Sequence, residues 1–168
     1  MNATAHPKLA MRPLLPADVP LVAEIFRASI EELGAEEYNE SQRKAWAAAA
    51  DDEDAFGARL AGQLTLIGTM AGSPIGFASL KAPDEVDMLY VHPAAAGQGV
   101  ATMLLDALEK LAAARGAGRL IADVSDVAQP FFTRRGFVAQ RRNTVAQGDE
   151  WLANTTMEKK FAAKEAAR

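Results

Sequence analysis

Apolar residues recur at helical spacing in two stretches of the chain, and these stretches predict its two long helices. The first apolar stripe ends at Gly34 and is interpreted as core; it consists of Leu21, Val22, Ile25, Phe26 and Ile30. The second begins at Val100, ends at Gly116 and carries Val100, Met103, Leu104, Ala107, Leu108 and Leu111. A shorter helical segment is predicted over residues 39–50, and the acidic run at 51–54 that ends it is interpreted as a solvated loop rather than a metal site.

Short apolar runs bounded by turn residues predict seven strands, at residues 9–14, 63–70, 74–80, 86–91, 119–124, 137–147 and 150–161. The turns at 71–73 and 148–149 are typical of hairpins. The strands at 86–91 and 119–124 flank the second long helix, so we expect them to be parallel and joined by a right-handed crossover.

Length and composition limit the possible classes of protein. The chain has 168 residues, of which 49% are hydrophobic, and this predicts one domain over 1–168 with a loose lead-in at 1–7 and a frayed tail at 162–168. A net charge of −4 without a basic run argues against nucleic acid as a partner. The chain has no cysteine and no apolar stretch of membrane-spanning length, so we expect a cytosolic protein without disulfides or a membrane partner.

A glycine loop joins the strand at 86–91 to the second long helix. Gly97 and Gly99 allow the backbone to approach a ligand closely, and the helix that follows directs free N–H groups and its positive dipole end at the loop. An anion is therefore expected there, although two glycines alone are equally typical of an ordinary strand-to-helix turn.

The motifs around this loop favour an anion site over an ordinary strand-to-helix turn. L-Y-V-H-P at 89–93, followed by G-Q-G-V-A at 97–101, resembles the acetyl-coenzyme A motif of the GNAT superfamily of N-acetyltransferases, which has Gln or Arg, two residues, Gly, one residue, then Gly or Ala. The corresponding residues here are Ala96, Gly99 and Ala101, so one side-chain contact to the pyrophosphate is missing while the backbone cradle is kept. A Rossmann dinucleotide site would need a glycine where the chain has Thr102.

A second block, S-D-V-A-Q-P-F-F-T-R-R-G-F at 125–137, resembles a helix that GNAT proteins carry after the glycine loop. The residues that match are Ala128, Phe131, Gly136 and Phe137. Ser125 replaces the usual Asn, and Phe132 replaces the tyrosine that the family uses as the proposed general acid for the departing thiolate. The segment with Tyr38, Gln42 and Trp46 is similar to a bacterial subgroup of small acetyltransferases with poorly defined substrates.

The resemblance implies an α/β (α+β) three-layer sandwich of the GNAT type. Its central mixed sheet is mostly antiparallel, with a splayed parallel pair of strands beside the glycine loop and helices on both faces. It also implies acetyl-CoA as the acyl donor. The residues expected to bind it are Leu89, Tyr90, Val91, Gly97, Gln98, Gly99, Val100, Ala101, Thr102, Ser125, Ala128, Phe131, Phe132 and Arg134.

The implied reaction is acetyl transfer to a primary amine by direct attack in a ternary complex. An alkyl amine is protonated near neutral pH, so a base is needed, and Glu85 and Asp87 are the candidates because residues two apart in a strand share a face. Both are also compatible with a solvent-facing role. Four hydroxyls are candidates to meet the departing thiolate: Ser125, Tyr38, Tyr90 and Thr133. Ser125 is expected more as a contact to the pantetheine arm than as an acid, and protonation of the thiolate by water is an alternative. His6 and His92 are interpreted as structural or incidental.

The acceptor side is expected to be lined by Tyr38, Gln42 and Trp46. A small-molecule amine and a protein amine both remain open as acceptors, and the resemblance leaves a homodimer as one expected assembly. The alternative to an enzyme is an acyl-CoA-binding sensor or interaction module that has lost catalysis, which the replacements at Ala96 and Phe132 favour. An α/β domain for an unrelated ligand would require both motif blocks to occur in this order by chance.

Overall fold

The computed structural model describes residues 8–162, which form one seven-stranded sheet flanked by five α-helices. The strands are β1 (Leu9–Pro13), β2 (Leu64–Met70), β3 (Ser73–Lys81), β4 (Glu85–Val91), β5 (Arg119–Ser125), β6 (Val138–Gln147) and β7 (Glu150–Lys160). The helices are α1 (Val19–Leu33), α2 (Glu40–Ala47), α3 (Glu53–Ala61), α4 (Val100–Ala114) and α5 (Gln129–Arg134). The order in the sheet is β1-β2-β3-β4-β5-β7-β6, and only β4 and β5 are parallel.

Two hydrophobic cores lie on opposite faces of this sheet. One core joins α4 and α5 to inward residues of β3, β4, β5 and β7, and the other joins α1, α2 and α3 to β2, β3 and β4. The expected three-layer sandwich, with its mixed and mostly antiparallel sheet, is confirmed.

Two glycines allow α4 to pack closely on the sheet. A Cβ on Gly76 of β3 would lie 3.0 Å from Val100 Cγ1 and 3.1 Å from the Tyr90 carbonyl oxygen, and one on Gly68 of β2 would lie 3.2 Å from the same Val100 atom. All three contacts are tighter than ordinary side-chain packing allows. The first residue of α4 is therefore held directly against β2 and β3, which fixes the position of the helix N-terminus.

The sheet has an irregular centre. β4 and β5 pair only at Glu85 with Ile121 and at Val86 with Ala122, after which the two strands separate. Opposite β3, residues Ser79 and Leu80 face Met88 and Val86, so Asp87 is the extra residue of a β-bulge. As a result, Val86 packs in the core beside α4 and Met88 in the core beside α1.

Three details differ from the sequence interpretation. The acidic run at 51–54 is not only a loop, because Asp52 caps the N-terminus of α3 through its contact with the amide of Ala55, and Glu53 begins the helix. Leu21 is 47% exposed and does not belong to the core. The segment 39–50 is α-helical only to Ala47 and continues as a 3₁₀ turn. The loose lead-in at 1–7 and the tail at 163–168 lie outside the described residues, and Ala162 follows β7 without regular structure.

Within residues 8–162, no helix combines the length and the apolar character needed to cross a membrane. The same part of the chain holds no group of three or more histidine, aspartate or glutamate side chains arranged to bind a metal.

Candidate active site

A cleft of about 620 Å³ opens at the N-terminus of α4, between the end of β4 and helix α5. Apart from Gln98, every residue predicted to bind acetyl-CoA lines this cleft. Gln98 points back to its own loop, where its Nε2 donates to the Ala94 carbonyl at 3.4 Å. The opposite wall comes from α1 and α2; Trp46 was predicted on the acceptor side, and the others were not predicted: Ser29, Ile30, Leu33 and Gly34.

The glycine loop has the geometry of an anion cradle. Gly97 and Gly99 have φ values of 75° and 86°, in the left-handed region that favours glycine, and no atom lies within 4 Å of the place where a Cβ would be. Gly99 is the N-cap of α4, and the first amide bonded back along the helix is that of Met103, to the Gly99 carbonyl. The amides of the first helical turn are consequently free to donate to a phosphate.

Helix α5 separates the roles of two neighbouring arginines. Arg134 lines the cleft, whereas Arg135 forms an ion pair with Asp106 of α4. Arg134 is therefore the basic residue of α5 that faces the cleft. Phe132, in the same helix, is 4% exposed and packs edge-on against Phe131 and Phe137, with ring centroids 5.6 and 4.9 Å apart.

Ser125 and His92 both act as local caps. Ser125 Oγ accepts from the Ala128 amide at 3.2 Å, and His92 Nδ1 accepts from the Ala94 amide at 3.1 Å. The cap supports the structural interpretation of His92, while His6 lies outside the described residues. The proton of Ser125 takes no part in its cap, so it remains available in the cleft.

A second cavity, of about 170 Å³, occupies the gap where β4 and β5 separate. It lies next to the cleft, and six residues line both spaces: Trp46, Leu89, Tyr90, Ser125, Ala128 and Phe132. Its remaining walls come from β4, β5, β6, β7 and Tyr38, which lies just before α2. A thioester in the cleft would thus have a second space beside it for an acceptor.

Tyr38 is built into the wall of this second cavity. Its hydroxyl donates to the Ala153 carbonyl at 2.7 Å and accepts from the Asp126 amide at 2.9 Å, and burial raises its pKa. The ring lies edge-on to Trp46, with ring centroids 5.5 Å apart, and both of these residues line the cavity. The third predicted residue, Gln42, lies outside the cavity, where its Nε2 donates to the Trp151 carbonyl at 2.9 Å and holds α2 on β7.

The two predicted base candidates have different surroundings. Asp87 accepts two hydrogen bonds from Arg59 and one from Gln63, each at 2.9 Å. Burial by itself would raise the pKa of Asp87, but the hydrogen bonds from Arg59 and Gln63 outweigh it and the pKa is lowered. Glu85 lines neither cavity, although its charge contributes to raising the pKa of Arg59. A carboxylate that is already paired is poorly suited to take a proton, and one outside the cavities is poorly placed to do so.

Sequence reasoning missed another carboxylate, Asp123 of β5, which lines the second cavity and is exposed. Its Oδ1 accepts from the Thr156 hydroxyl at 2.5 Å. The run Leu120, Ala122 and Val124 faces the core beside α4, so alternation along the strand directs Asp123 to the other face. That alternation was the available signal, but residues 119–124 were interpreted only as a short apolar strand.

Comparison with known proteins assigns the family. The model of an acetyltransferase (GNAT) domain matches residues 34–161. An uncharacterized N-acetyltransferase of Escherichia coli K12, YafP, is 30% identical over 149 residues, covering 89% of this chain and 94% of that protein. The chain therefore belongs to the GNAT acetyltransferase family.

Solved structures agree with this assignment. The "GCN5-Related N-acetyltransferase: Aminotransferase, Class-II" of Rhodopseudomonas palustris is 58% identical, with a TM-score of 0.91 over 95% of this chain and 100% of that chain. The PaiA N-acetyltransferase of Thermoplasma acidophilum, solved with coenzyme A, shares the fold at 22% identity, with a TM-score of 0.75 over 92% of this chain and 99% of that chain.

Proposed function

We propose that this chain is an N-acetyltransferase that transfers acetyl from acetyl-CoA to a primary amine by direct attack in a ternary complex. The observation that carries the proposal is the separation of β4 and β5 beside a helix N-terminus with free amides. The backbone of β4 beyond Val86 has no strand partner on the β5 side, which leaves it available to bond the pantetheine arm as an added strand.

The cleft suits the donor along its whole length. The free amides of α4 and the guanidinium of Arg134 would bind the phosphates, and the edge of β4 at Leu89–Val91 would bind the amide-bearing arm. Proteins of the same fold support this arrangement, since PaiA was solved with coenzyme A and YncA of Salmonella typhimurium with acetyl-CoA.

Acetyl-CoA supplies an activated acyl group as a thioester. During transfer a C–N bond forms, the C–S bond breaks and the amine loses a proton, so the chain must orient the acceptor, accept that proton and stabilise the carbonyl oxygen. An N–H of the β4 edge near Tyr90 would stabilise the oxygen. The second cavity would hold the amine on the far side of the thioester.

The sensor alternative rests on Ala96 and Phe132, which lack side-chain contacts that the resemblance implies. A sensor without catalysis would be expected to have a filled acceptor side, and the cavity of about 170 Å³ there favours the enzyme. Assembly as a homodimer stays a prediction.

Calorimetric titration with acetyl-CoA, followed by a thiol-release assay over a panel of small and peptidyl amines, tests the proposal. We expect binding in the micromolar range and thiol release that depends on the amine. Binding without release on any amine would favour the sensor, and failure to bind acetyl-CoA would contradict both.

A further inference from the structure

The second cavity contains two carboxylates, and only one of them is matched by a cation. Asp87 is paired with Arg59. β6 carries two arginines: Arg142 is paired with Asp126, and Arg141 Nε donates to Asn143 Oδ1 at 2.8 Å without forming an ion pair with Asp123. Among residues 8–162, Asp123 forms no ion pair, so the cavity carries an unmatched negative charge.

A chain of hydrogen bonds holds Asp123 from behind. Asn143 Nδ2 donates to Thr156 Oγ1 at 2.8 Å and to Asn154 Oδ1 at 3.0 Å. Because the Thr156 oxygen accepts from Asn143, its single proton is directed to Asp123 Oδ1. Thr156 is only 7% exposed, so this arrangement is fixed within the sheet and leaves Asp123 Oδ2 for a ligand.

The position of Asp123 suits an acceptor that meets the thioester. Asp123 precedes Ser125 by two residues in β5, and side chains at this spacing share a face about 7 Å apart. Ser125 lines both the cleft and the second cavity. A group bound to Asp123 is therefore about 7 Å from a residue that lines the cleft.

We infer that Asp123 binds the acceptor as an alkylammonium ion and accepts its proton, so that the preferred acceptors are small primary alkylamines or the amine end of a larger molecule. This inference rests on the proposed function and names its acceptor class. A volume of about 170 Å³ is smaller than the roughly 300–1,000 Å³ of drug-sized ligand sites, so only a slender amine enters. The aromatic rings of Tyr38, Trp46 and Tyr90 in the same wall are also favourable to a cation.

The proton transfer balances without another reactant. The ammonium gives one proton to Asp123 Oδ2, and the neutral amine attacks the thioester carbonyl. The C–N bond forms as the C–S bond breaks, and the electron pair leaves with the sulfur. Asp123 then returns its proton to water or to the departing thiolate.

The first test compares an alkylamine with a nucleophile that needs no deprotonation. Asp123→Asn is expected to lower kcat/KM for butylamine about 100-fold while leaving turnover of hydroxylamine, which is largely neutral near neutral pH, close to wild type. Asp84→Asn is the matched control, because Asp84 pairs with Arg119 at the other end of these strands, outside both cavities. Equal losses for both nucleophiles, or no loss for butylamine, would overturn the inference.

Thr156 tests the positioning of the carboxylate. Thr156→Val removes the donor to Asp123, so we expect a higher KM for butylamine with hydroxylamine turnover unchanged, and Thr156→Ser should restore the wild-type values. A Val variant that matches wild type for butylamine would show that Asp123 needs no such orientation and would contradict the argument.

A binding measurement separates this inference from the proposed function. Propylguanidinium is permanently charged and is not expected to be acetylated, so its binding to the protein saturated with coenzyme A requires no catalysis. We expect Asp123→Asn to weaken this binding about tenfold or more and Asp84→Asn to leave it unchanged. Equal binding by all three proteins would refute the role of Asp123 even if acetylation of amines is observed, and selective loss would support that role even if the enzyme assay fails.

Discussion

The ion pair between Arg59 of α3 and Asp87 of the β4 bulge should be a measurable source of stability. Replacing Arg59 by Met keeps most of the aliphatic chain but removes two charged hydrogen bonds of 2.9 Å. The Asp87 side chain is 12% exposed and would keep only the bond from Gln63. Arg59→Met thus leaves a largely buried charge with one donor, which is destabilising.

The size of the effect follows from the exposure of the two partners. Breaking a fully buried pair costs about 3–5 kcal/mol. The Arg59 side chain is 48% exposed, so water reaches its side of the pair, and we expect a loss of about 2 kcal/mol in the free energy of unfolding. For a domain of this length, such a loss corresponds to a fall in Tm of roughly 4–8 °C.

The effect should depend on pH in a defined direction. The pKa of Asp87 is lowered in the folded state, so its contribution is fully present above the unfolded pKa of about 3.9 and is lost as the pH falls through the lowered value. Wild type and Arg59→Met should therefore differ in stability near neutral pH and converge in acid.

Urea unfolding followed by circular dichroism, repeated from neutral to acid pH, provides the measurement. Arg115→Met is the matched control, since Arg115 is exposed at the end of α4 and should change stability little. A loss below about 0.5 kcal/mol for Arg59→Met, or a difference that does not shrink in acid, would refute the reasoning.

Three further changes test the parts of the site separately. Gly76→Ala places a Cβ 3.0 Å from Val100 Cγ1 and 3.1 Å from a backbone oxygen, so we expect a loss of about 1–3 kcal/mol in chemical unfolding and weaker acetyl-CoA binding by calorimetry, because the start of α4 must move. In Gly99→Ala the added Cβ contacts no atom, but the backbone at φ 86° is strained for alanine, so we expect weaker acetyl-CoA binding. Gly118→Ala is the control, because it has neither a steric contact nor a positive φ, and it should bind like wild type. Tyr38→Phe leaves the Ala153 carbonyl and the Asp126 amide without their partner and should cost about 1–3 kcal/mol in urea unfolding; a neutral result would contradict the assigned hydrogen bonds.

The donor side of the site was predictable because its physics is local. A strand, two glycines and a helix in sequence produce free amides at one point, and these elements lie within 32 residues from Glu85 to Gly116. Positive φ at Gly97 and Gly99 and the N-cap role of Gly99 follow from the same local pattern. The resemblance then identified which flanking side chains line the cleft.

The acceptor side was not predictable to the same degree, since it depends on distant pairings. Asp87 was interpreted as a free carboxylate because its partner Arg59 is 28 residues away in a helix that periodicity did not detect. Gly57 interrupts the pattern of that helix, and it is needed there because a Cβ would lie 3.0 Å from Val19 Cγ2. A glycine that allows two helices to pack closely thus hides one of them from sequence analysis.

Asp123 shows a second reason why the acceptor side could not be predicted from the sequence. The alternation of buried and exposed residues along β5 is visible in the sequence. The residue that orients Asp123, however, comes from β7, which pairs antiparallel with β5 and places Lys160 opposite Arg119. Only that pairing brings Thr156 opposite Asp123, and only the hairpin with β6 adds Asn143 behind it. The chain of hydrogen bonds from Asn143 through Thr156 to Asp123 therefore depends on three strands, two of which carry no motif.

Phe132 replaces the family's tyrosine and has no proton to donate to the departing thiolate. The contacts of Tyr38, Tyr90 and Ser125 show which of these hydroxyls has a proton free to donate. Tyr38 already donates to the Ala153 carbonyl, and Tyr90 packs against Phe26 at 4.7 Å in surroundings whose burial raises its pKa. A raised pKa makes a phenol a weaker proton donor. Ser125 uses only its oxygen, as an acceptor, and lines both cavities, so its proton is free for a contact in the cleft. A thiol with a pKa of about 8.5 leaves without strong acid help, so a serine or water at this position is chemically sufficient, and the demanding proton transfer is the one at the amine.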